Sequence, residues 1–157
     1  MPPVLDTTDR RLVTALRRSP RASLSELGRM LDLARGTVTT RLQRLEARGV
    51  IRGYGPDVDP TAAGYDVRAF TTLAIAQGSH DRTVAHLETI PNIVEIHTVT
   101  GGGDLMLRII ARTNDHLHQV LQEIAAIPEV RRTETHLALA TPLQRTVADL
   151  IAETSAD

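Results

Sequence analysis

The sequence predicts an α+β chain in two modules: a helix-turn-helix of three short helices, then a βαββαβ, ferredoxin-like unit whose antiparallel sheet carries both helices on one face. Three observations predict it. Up to Gly49 the apolar residues recur every three or four positions, the period of an amphipathic helix. From Val67 onward, β-branched and alternating runs take turns with helical stripes, and the two stripes end at Pro91 and Pro128. Between these stretches the charge changes sign: residues 1–55 hold 11 arginines against five acids, and the remainder holds seven against 14, in a chain of net charge −1. The expected boundaries are 1–53 for the helix-turn-helix, 54–66 for a hinge rich in Gly, Pro and Asp, and 67–157 for the second domain.

In the first helix, expected over 6–18, Leu12, Val13 and Leu16 form the inner stripe. Asp6 and Asp9 stand at its amino end and Arg17 and Arg18 at its carboxyl end, which suits the helix dipole, and Pro20 closes it. Ser23 and Glu26 spell a capping box, in which hydroxyl and carboxylate satisfy two amides that a helix start leaves without partners. Leu24, Leu27 and Leu31 continue that second helix. After a break at Asp32, Leu33 and Ala34, a third helix is expected over 35–48, with Val38, Leu42 and Leu45 inward and Gly49 as its stop. Val50–Gly53 reads as a short strand. In the second module, strands are expected over 67–76, 93–100, 104–111 and 130–140, and helices over 81–90 and 114–127. A closing helical segment, 142–152, carries Leu143, Val147, Leu150 and Ile151 on one side, to cover part of the sheet or a neighbouring copy.

Several function classes are excluded by composition. There is no cysteine, hence no disulfide, thiolate metal ligand or cysteine nucleophile. No run of about 18 apolar residues exists, and Met1–Val4 lacks the basic-then-apolar form of a secretion signal, so a cytoplasmic protein without a membrane partner is expected. The core must be aliphatic, since Tyr54, Tyr65 and Phe70 are the only aromatic residues. No nucleophile elbow, Walker loop, dinucleotide fingerprint or HExxH run appears, so neither catalytic residues nor a cofactor are expected. His116 and His118, two apart on a helix, point in different directions; His97 and His136 are placed to approach across the sheet, without a third ligand. No metal site is expected.

The third helix carries the DNA-binding expectation. Its inner stripe locks it onto its predecessor, so its outer residues are presented as a rigid set to a major groove. That set is Arg35, Thr37, Thr39, Thr40, Gln43 and Arg44, with Arg41 and Arg48 nearer the flanks. Arginine forks onto guanine O6 and N7, glutamine onto adenine, and threonine offers a methyl to thymine or a hydroxyl to phosphate. The chain has no lysine, so every fixed cation is a guanidinium.

The run Leu5-Asp6 with Asp9-Arg10, then Leu24-Ser25-Glu26-Leu27, then Val38, Arg41-Leu42, Leu45-Glu46 and Gly49-Val50-Ile51, and finally Thr100-Gly101-Gly102-Gly103-Asp104, resembles the Lrp/AsnC, or feast/famine, regulators. The likeness runs from Leu5 to about Leu139 in order and spacing. It implies a winged helix-turn-helix joined to a βαββαβ effector and oligomerisation domain, with homodimers formed through the sheets, assembly to tetramers or octamers, and an amino acid bound between dimers. Two departures stand out. Ala34 occupies the N-cap of the recognition helix, where the family often has a hydroxyl residue, and Gly101-Gly102-Gly103-Asp104 replaces a Gly-Asp-aromatic-Asp loop, removing one carboxylate and an aromatic wall.

That resemblance makes the Gly101–Gly103 turn an expected sensing loop. Glycines let backbone amides approach a ligand; Asp104 is expected to receive an α-ammonium and the amides an α-carboxylate, with Thr98, Val99 and Thr100 as further contacts or pocket wall. A plain hairpin turn is the alternative for the loop. For the whole chain, the alternative is an architectural DNA-binding protein that answers to no effector.

Overall fold

The computed structural model describes residues 5–153; Met1–Val4, read above for a secretion signal, lie outside the described residues. The elements are α1 (Thr7–Arg18), α2 (Leu24–Leu31), α3 (Arg35–Ala47), β1 (Val67–Ile75), α4 (His80–Leu87), β2 (Ile93–Thr98), β3 (Leu105–Ala111), α5 (Asn114–Ala125), β4 (Val130–Leu137) and α6 (Val147–Glu153). They form two compact units, one holding residues up to Pro56 together with those from Leu143 onward, the other Asp57–Pro142.

In the first unit, Leu12, Ala15, Leu27, Leu31, Val38, Leu42 and Leu45 close on one another as the core. Each buried leucine contributes roughly 1.5–3 kcal/mol. The capping box forms: the Glu26 amide donates to Ser23 Oγ at 3.2 Å and the Ser23 amide to Glu26 Oε2 at 2.7 Å. The bend into α3 needs two special residues. Asp32 sits in the left-handed region at φ 57°, and the Leu33 amide folds back onto Gly28 O at 2.8 Å. That return brings Leu33 O so near Gly28 that an added Cβ would lie 2.7 Å from it. Arg11 steadies the same corner, donating from Nη2 to Leu31 O at 3.2 Å.

Two expectations are corrected in this unit. Val50–Gly53 forms no strand. Gly49 turns at φ 68°, and the amides of Val50 and Ile51 both donate to Leu45 O, at 2.9 and 3.3 Å, so the chain is spent on closing α3. The segment from Leu143 onward, expected with the second domain, belongs here: α6 packs along α1, with an Arg17 Nε to Asp149 Oδ1 ion pair at 3.5 Å.

The second unit has the expected four-stranded antiparallel sheet, in the order β2-β3-β1-β4. Strand alternation sends Ala69, Leu73, Leu105, Leu107 and Ile109 to one side, where they meet Leu87, Leu117, Val120 and Ile124 of the helices. Thr71 shares that buried side and bonds Thr135 Oγ1 across the strands at 3.0 Å. The other side carries Arg68, Phe70, Met106, Arg108 and Ile110, and there Phe70 and Met106 keep 43% and 37% of their surface exposed. No helix of this unit covers it. The strand order also corrects the histidine pairing: β2 and β4 are the two outer strands, so His97 and His136 stand at opposite edges, each beside its own glutamate, Glu95 at 3.2 Å and Glu134 at 3.3 Å.

Two glycines predict opposite outcomes. Gly28→Ala forces a side chain against the Leu33 carbonyl and should lower the stability of the first unit by about 1–3 kcal/mol. An added Cβ at Gly36, within α3, meets nothing within 4 Å, so Gly36→Ala should raise stability by roughly 0.5–1 kcal/mol. Urea unfolding followed by helical circular dichroism measures both; similar midpoints for the two variants would contradict the packing described.

Candidate nucleic-acid interface

α3 is held against α1 by more than its leucine stripe. Asp9, only 1% exposed, lies on the inner face of α1 one turn before Leu12. Its two carboxylate oxygens take Arg41 Nη1 at 2.8 Å and Arg44 Nη2 at 2.6 Å. Asp6 adds a second acceptor to Arg41 at 2.6 Å while its Oδ1 caps α1 through the Asp9 amide at 2.7 Å. The Arg41 hydrogen bond first, and the Asp9 amide next, hold the Asp6 carboxyl down to about 2, against an ordinary 3.8. The same pairing, Asp6 first and then Asp9, raises Arg41 above its usual value.

This network changes the work of two expected DNA contacts. Arg41 and Arg44 are occupied by carboxylates from α1, so they position α3 before they meet any ligand. Thr39 and Thr40 use their hydroxyl protons on Arg35 O and Gly36 O, each at 3.0 Å, leaving a methyl and lone pairs for a partner. Helical periodicity puts Gly36, Thr40, Gln43 and Ala47 farthest from the buried Val38, Leu42 and Leu45, and all four are exposed. Arg35, Thr37 and Arg48 are exposed beside that ridge. Ala34 provides no side-chain cap, as its residue type implies.

Behind the ridge, Tyr54 Oη donates to Glu46 Oε1 at 2.5 Å, and burial together with that carboxylate pushes the phenol up to about 12. A cleft of about 430 Å³ lies between this pair and α2, lined by Leu16, Leu24, Leu27, Thr39, Gln43 and Tyr54. Thr39 therefore faces the α2 side of the helix more than the outer ridge.

In the second unit, the expected sensing loop is tied down at several points. The Val99 amide donates to Asp104 O at 3.0 Å, and the Asp104 amide to Leu73 O at 2.8 Å. Asp104 Oδ2 accepts from the Ile75 amide at 2.8 Å, so half of the expected ammonium receptor already staples the loop to β1. Gly101 turns at φ 112°, and Gly103 packs so closely that an added Cβ would lie 2.3 Å from Thr72 Cγ2 and 3.0 Å from Leu73 O. The loop is thus an anchored turn.

Thr98 is bridged to His80 Nε2 at 2.8 Å, and Arg132 Nη2 donates to Gly102 O at 2.9 Å. Thr100, Gly101 and Gly102 are exposed, while Val99 is half-buried. Sequence reasoning missed both His80 and Arg132, because they reach the loop from α4 and β4. It also read Asp9 only as a dipole partner, although a charge on the apolar stripe of Leu12 was itself the signal that a cation had to be near. Among the described residues, no group of three or more His, Asp or Glu is disposed to hold a metal ion, and no helix is long and apolar enough to cross a membrane.

Two measurements test the clamp. Asp9→Ala leaves both guanidinia without their buried acceptor and should cost on the order of 3 kcal/mol of first-unit stability. Asp6→Asn keeps a capping oxygen but removes the charge. Because the folded carboxyl titrates at about 2 and the unfolded one at 3.8, the wild-type advantage over Asp6→Asn should be complete above about pH 4 and vanish as the pH falls through about 2. A pH-independent difference between the two proteins would show that the Arg41 pair contributes nothing.

Comparison with known proteins gives this geometry a family. Residues 5–52 match the model of a winged helix-turn-helix DNA-binding domain, and residues 68–148 that of the Lrp/AsnC ligand binding domain. The HTH-type transcriptional regulator FL11 of Pyrococcus horikoshii is 30% identical over 142 residues, 90% of this chain and 94% of the relative. The structure of Escherichia coli AsnC superposes with a TM-score of 0.87 at 28% identity, covering 93% of this chain and 99% of that one. A feast or famine regulatory protein from Mycobacterium tuberculosis, complexed with L-methionine, superposes with a TM-score of 0.80 at 33% identity, covering 90% and 96%. With its DNA-binding and ligand-binding halves both matched in order, and a relative of this identity along nine-tenths of its length, the chain belongs to the Lrp/AsnC family of transcriptional regulators.

Proposed function

We propose that the chain is a cytoplasmic, DNA-binding transcription regulator that answers to a free α-amino acid and acts as a homo-oligomer. The observation that carries the reading is the clamped α3: a helix fixed on one flank by Asp9 and on its inner face by three aliphatic residues, with Thr40 and Gln43 on an exposed outer ridge. Such a ridge suits base edges in a major groove, and the exposed Arg35, Thr37 and Arg48 suit flanking phosphates or guanines. Residues 1–53 are the DNA-gripping part and 54–66 the hinge. The sheet domain that follows senses and assembles.

Assembly follows from the open side of the sheet. Phe70 and Met106 stand exposed there beside half-buried Ile110, and a second copy laid on that face buries these residues in both. Dimerisation then sets two recognition helices about one DNA turn, roughly 34 Å, apart on a pseudo-palindromic site. Dimers assemble further into tetramers or octamers. An amino acid taken up at the Thr98–Asp104 loop favours one assembly over another, and DNA affinity follows by linkage. The L-methionine complex of the mycobacterial relative supports an amino acid as the class of effector.

An architectural role, with uniform coverage of DNA and no effector, is the second reading; the tight anchoring of the loop by Asp104 favours it. Footprinting separates the two: phased protection of discrete sites that shifts on adding amino acids supports regulation, and sequence-independent coverage supports architecture.

Side-chain roles on α3 are separable as well. Gln43→Ala should lower discrimination between a site and its mismatched version by about 1–3 kcal/mol without moving the thermal unfolding midpoint. Arg44→Ala should lower both DNA affinity and that midpoint, because its guanidinium holds Asp9. Binding isotherms at two salt concentrations, paired with thermal scans, read both effects; an Arg44→Ala protein of unchanged stability would remove the positioning role.

A further inference from the structure

At the loop end of the sheet, two side chains of opposite charge stand on either side of one small residue. Ala74 of β1 pairs with Arg132 of β4. On its other side, Leu73 pairs with Leu105, so Asp104, the residue before β3, falls level with Ala74. The Asp104 carboxylate spends Oδ2 on the Ile75 amide, and among the described residues Oδ1 has no hydrogen-bond or ion-pair partner. Arg132 is exposed and commits one donor to Gly102 O at 2.9 Å, and among the described residues the rest of its five-donor fork has no partner. Among the described residues, Arg132 is the guanidinium that bonds to this loop, and it makes no ion pair with Asp104.

We infer that Arg132 is the carboxylate receptor of the effector site: its guanidinium takes the α-carboxylate of an amino acid whose α-ammonium rests on Asp104 Oδ1, with Ala74 as the floor between them. This rests on the reading that an amino acid binds at the Thr98–Asp104 loop. Adjacent strands lie about 4.8 Å apart, so the backbones of residues 104 and 132 are roughly 10 Å apart across β1, a gap that an aspartate and a much longer arginine narrow to the span of a zwitterion. Of the backbone amides that are the expected alternative receptor, those at the two ends of the loop are already spent, Val99 on Asp104 O and Asp104 on Leu73 O, which leaves only the turn itself to compete with Arg132. A guanidinium also binds a carboxylate bidentately, which fixes the orientation of a ligand as an ammonium cannot. His80, bonded to Thr98 at the strand end leading into the loop, acts as a positioning residue.

The test uses the full-length protein, its Arg132→Gln and Arg132→Lys variants, and calorimetric titration with L-methionine, L-leucine and L-phenylalanine, each beside its carboxamide, which keeps side chain and ammonium but loses the carboxylate charge. The wild type should bind at least one amino acid and lose about tenfold or more on its carboxamide. Arg132→Gln should weaken the acid by a similar factor and no longer distinguish acid from amide, while Arg132→Lys recovers part of the preference. Thermal scans of Arg132→Gln that match the wild type separate a lost contact from a lost fold. If Arg132→Gln binds the acid as the wild type does, or keeps the full preference over the amide, the assignment of Arg132 is overturned while the amino-acid reading stands. A wild type that binds none of the three overturns that reading, and this inference with it.

Discussion

The first unit is organised around one buried carboxylate. Asp9 sits in an aliphatic core with almost no exposure, where an unpaired charge would cost several kcal/mol, and two guanidinia from α3 reach across to satisfy it. The pairing is directional in a way that leucine packing is not. Val38, Leu42 and Leu45 fix how closely α3 approaches; the Arg41 and Arg44 bonds fix its rotation and its slide along α1, which decide what its outer ridge presents. The same bonds lower the charge left over for a polyanion. Arg11, Arg17, Arg41 and Arg44 all have partners inside the unit, so the arginine count of the first 55 residues overstates the cations open to phosphate.

Much of the fold was legible because its signals are local. The capping box, the Gly49 stop, the proline-ended helical stripes and the alternating strands each depend on a few neighbouring residues, and they appear where the pattern puts them. The errors came where a distant element decides. The Val50–Gly53 stretch is extended in composition, but its amides are captured by Leu45 O, a carbonyl left over at the end of α3. The 143–153 segment shows an apolar side without showing which surface covers it, and α1 does.

The site divides along the same line. The α3 residues were identifiable from helical period alone, yet which arginines are free depended on acids 32 and 35 positions away. At the loop, the run of glycines marked the turn, whereas the groups that dress it, His80 and Arg132, arrive from other elements and no spacing in the sequence announces them. The triple glycine also hides a distinction that only packing reveals. Gly103 is required because Thr72 and the Leu73 carbonyl leave no room for a methyl, while an added Cβ at Gly102 meets nothing within 4 Å.

The return of α6 to α1 makes the first unit discontinuous along the chain, with the whole of Asp57–Pro142 inserted into it. During synthesis, the helix-turn-helix must therefore wait for the sheet to leave the ribosome before its last helix arrives. A protease nick near residue 56 would likewise divide the first unit between two polypeptides, α1–α3 on one and α6 on the other.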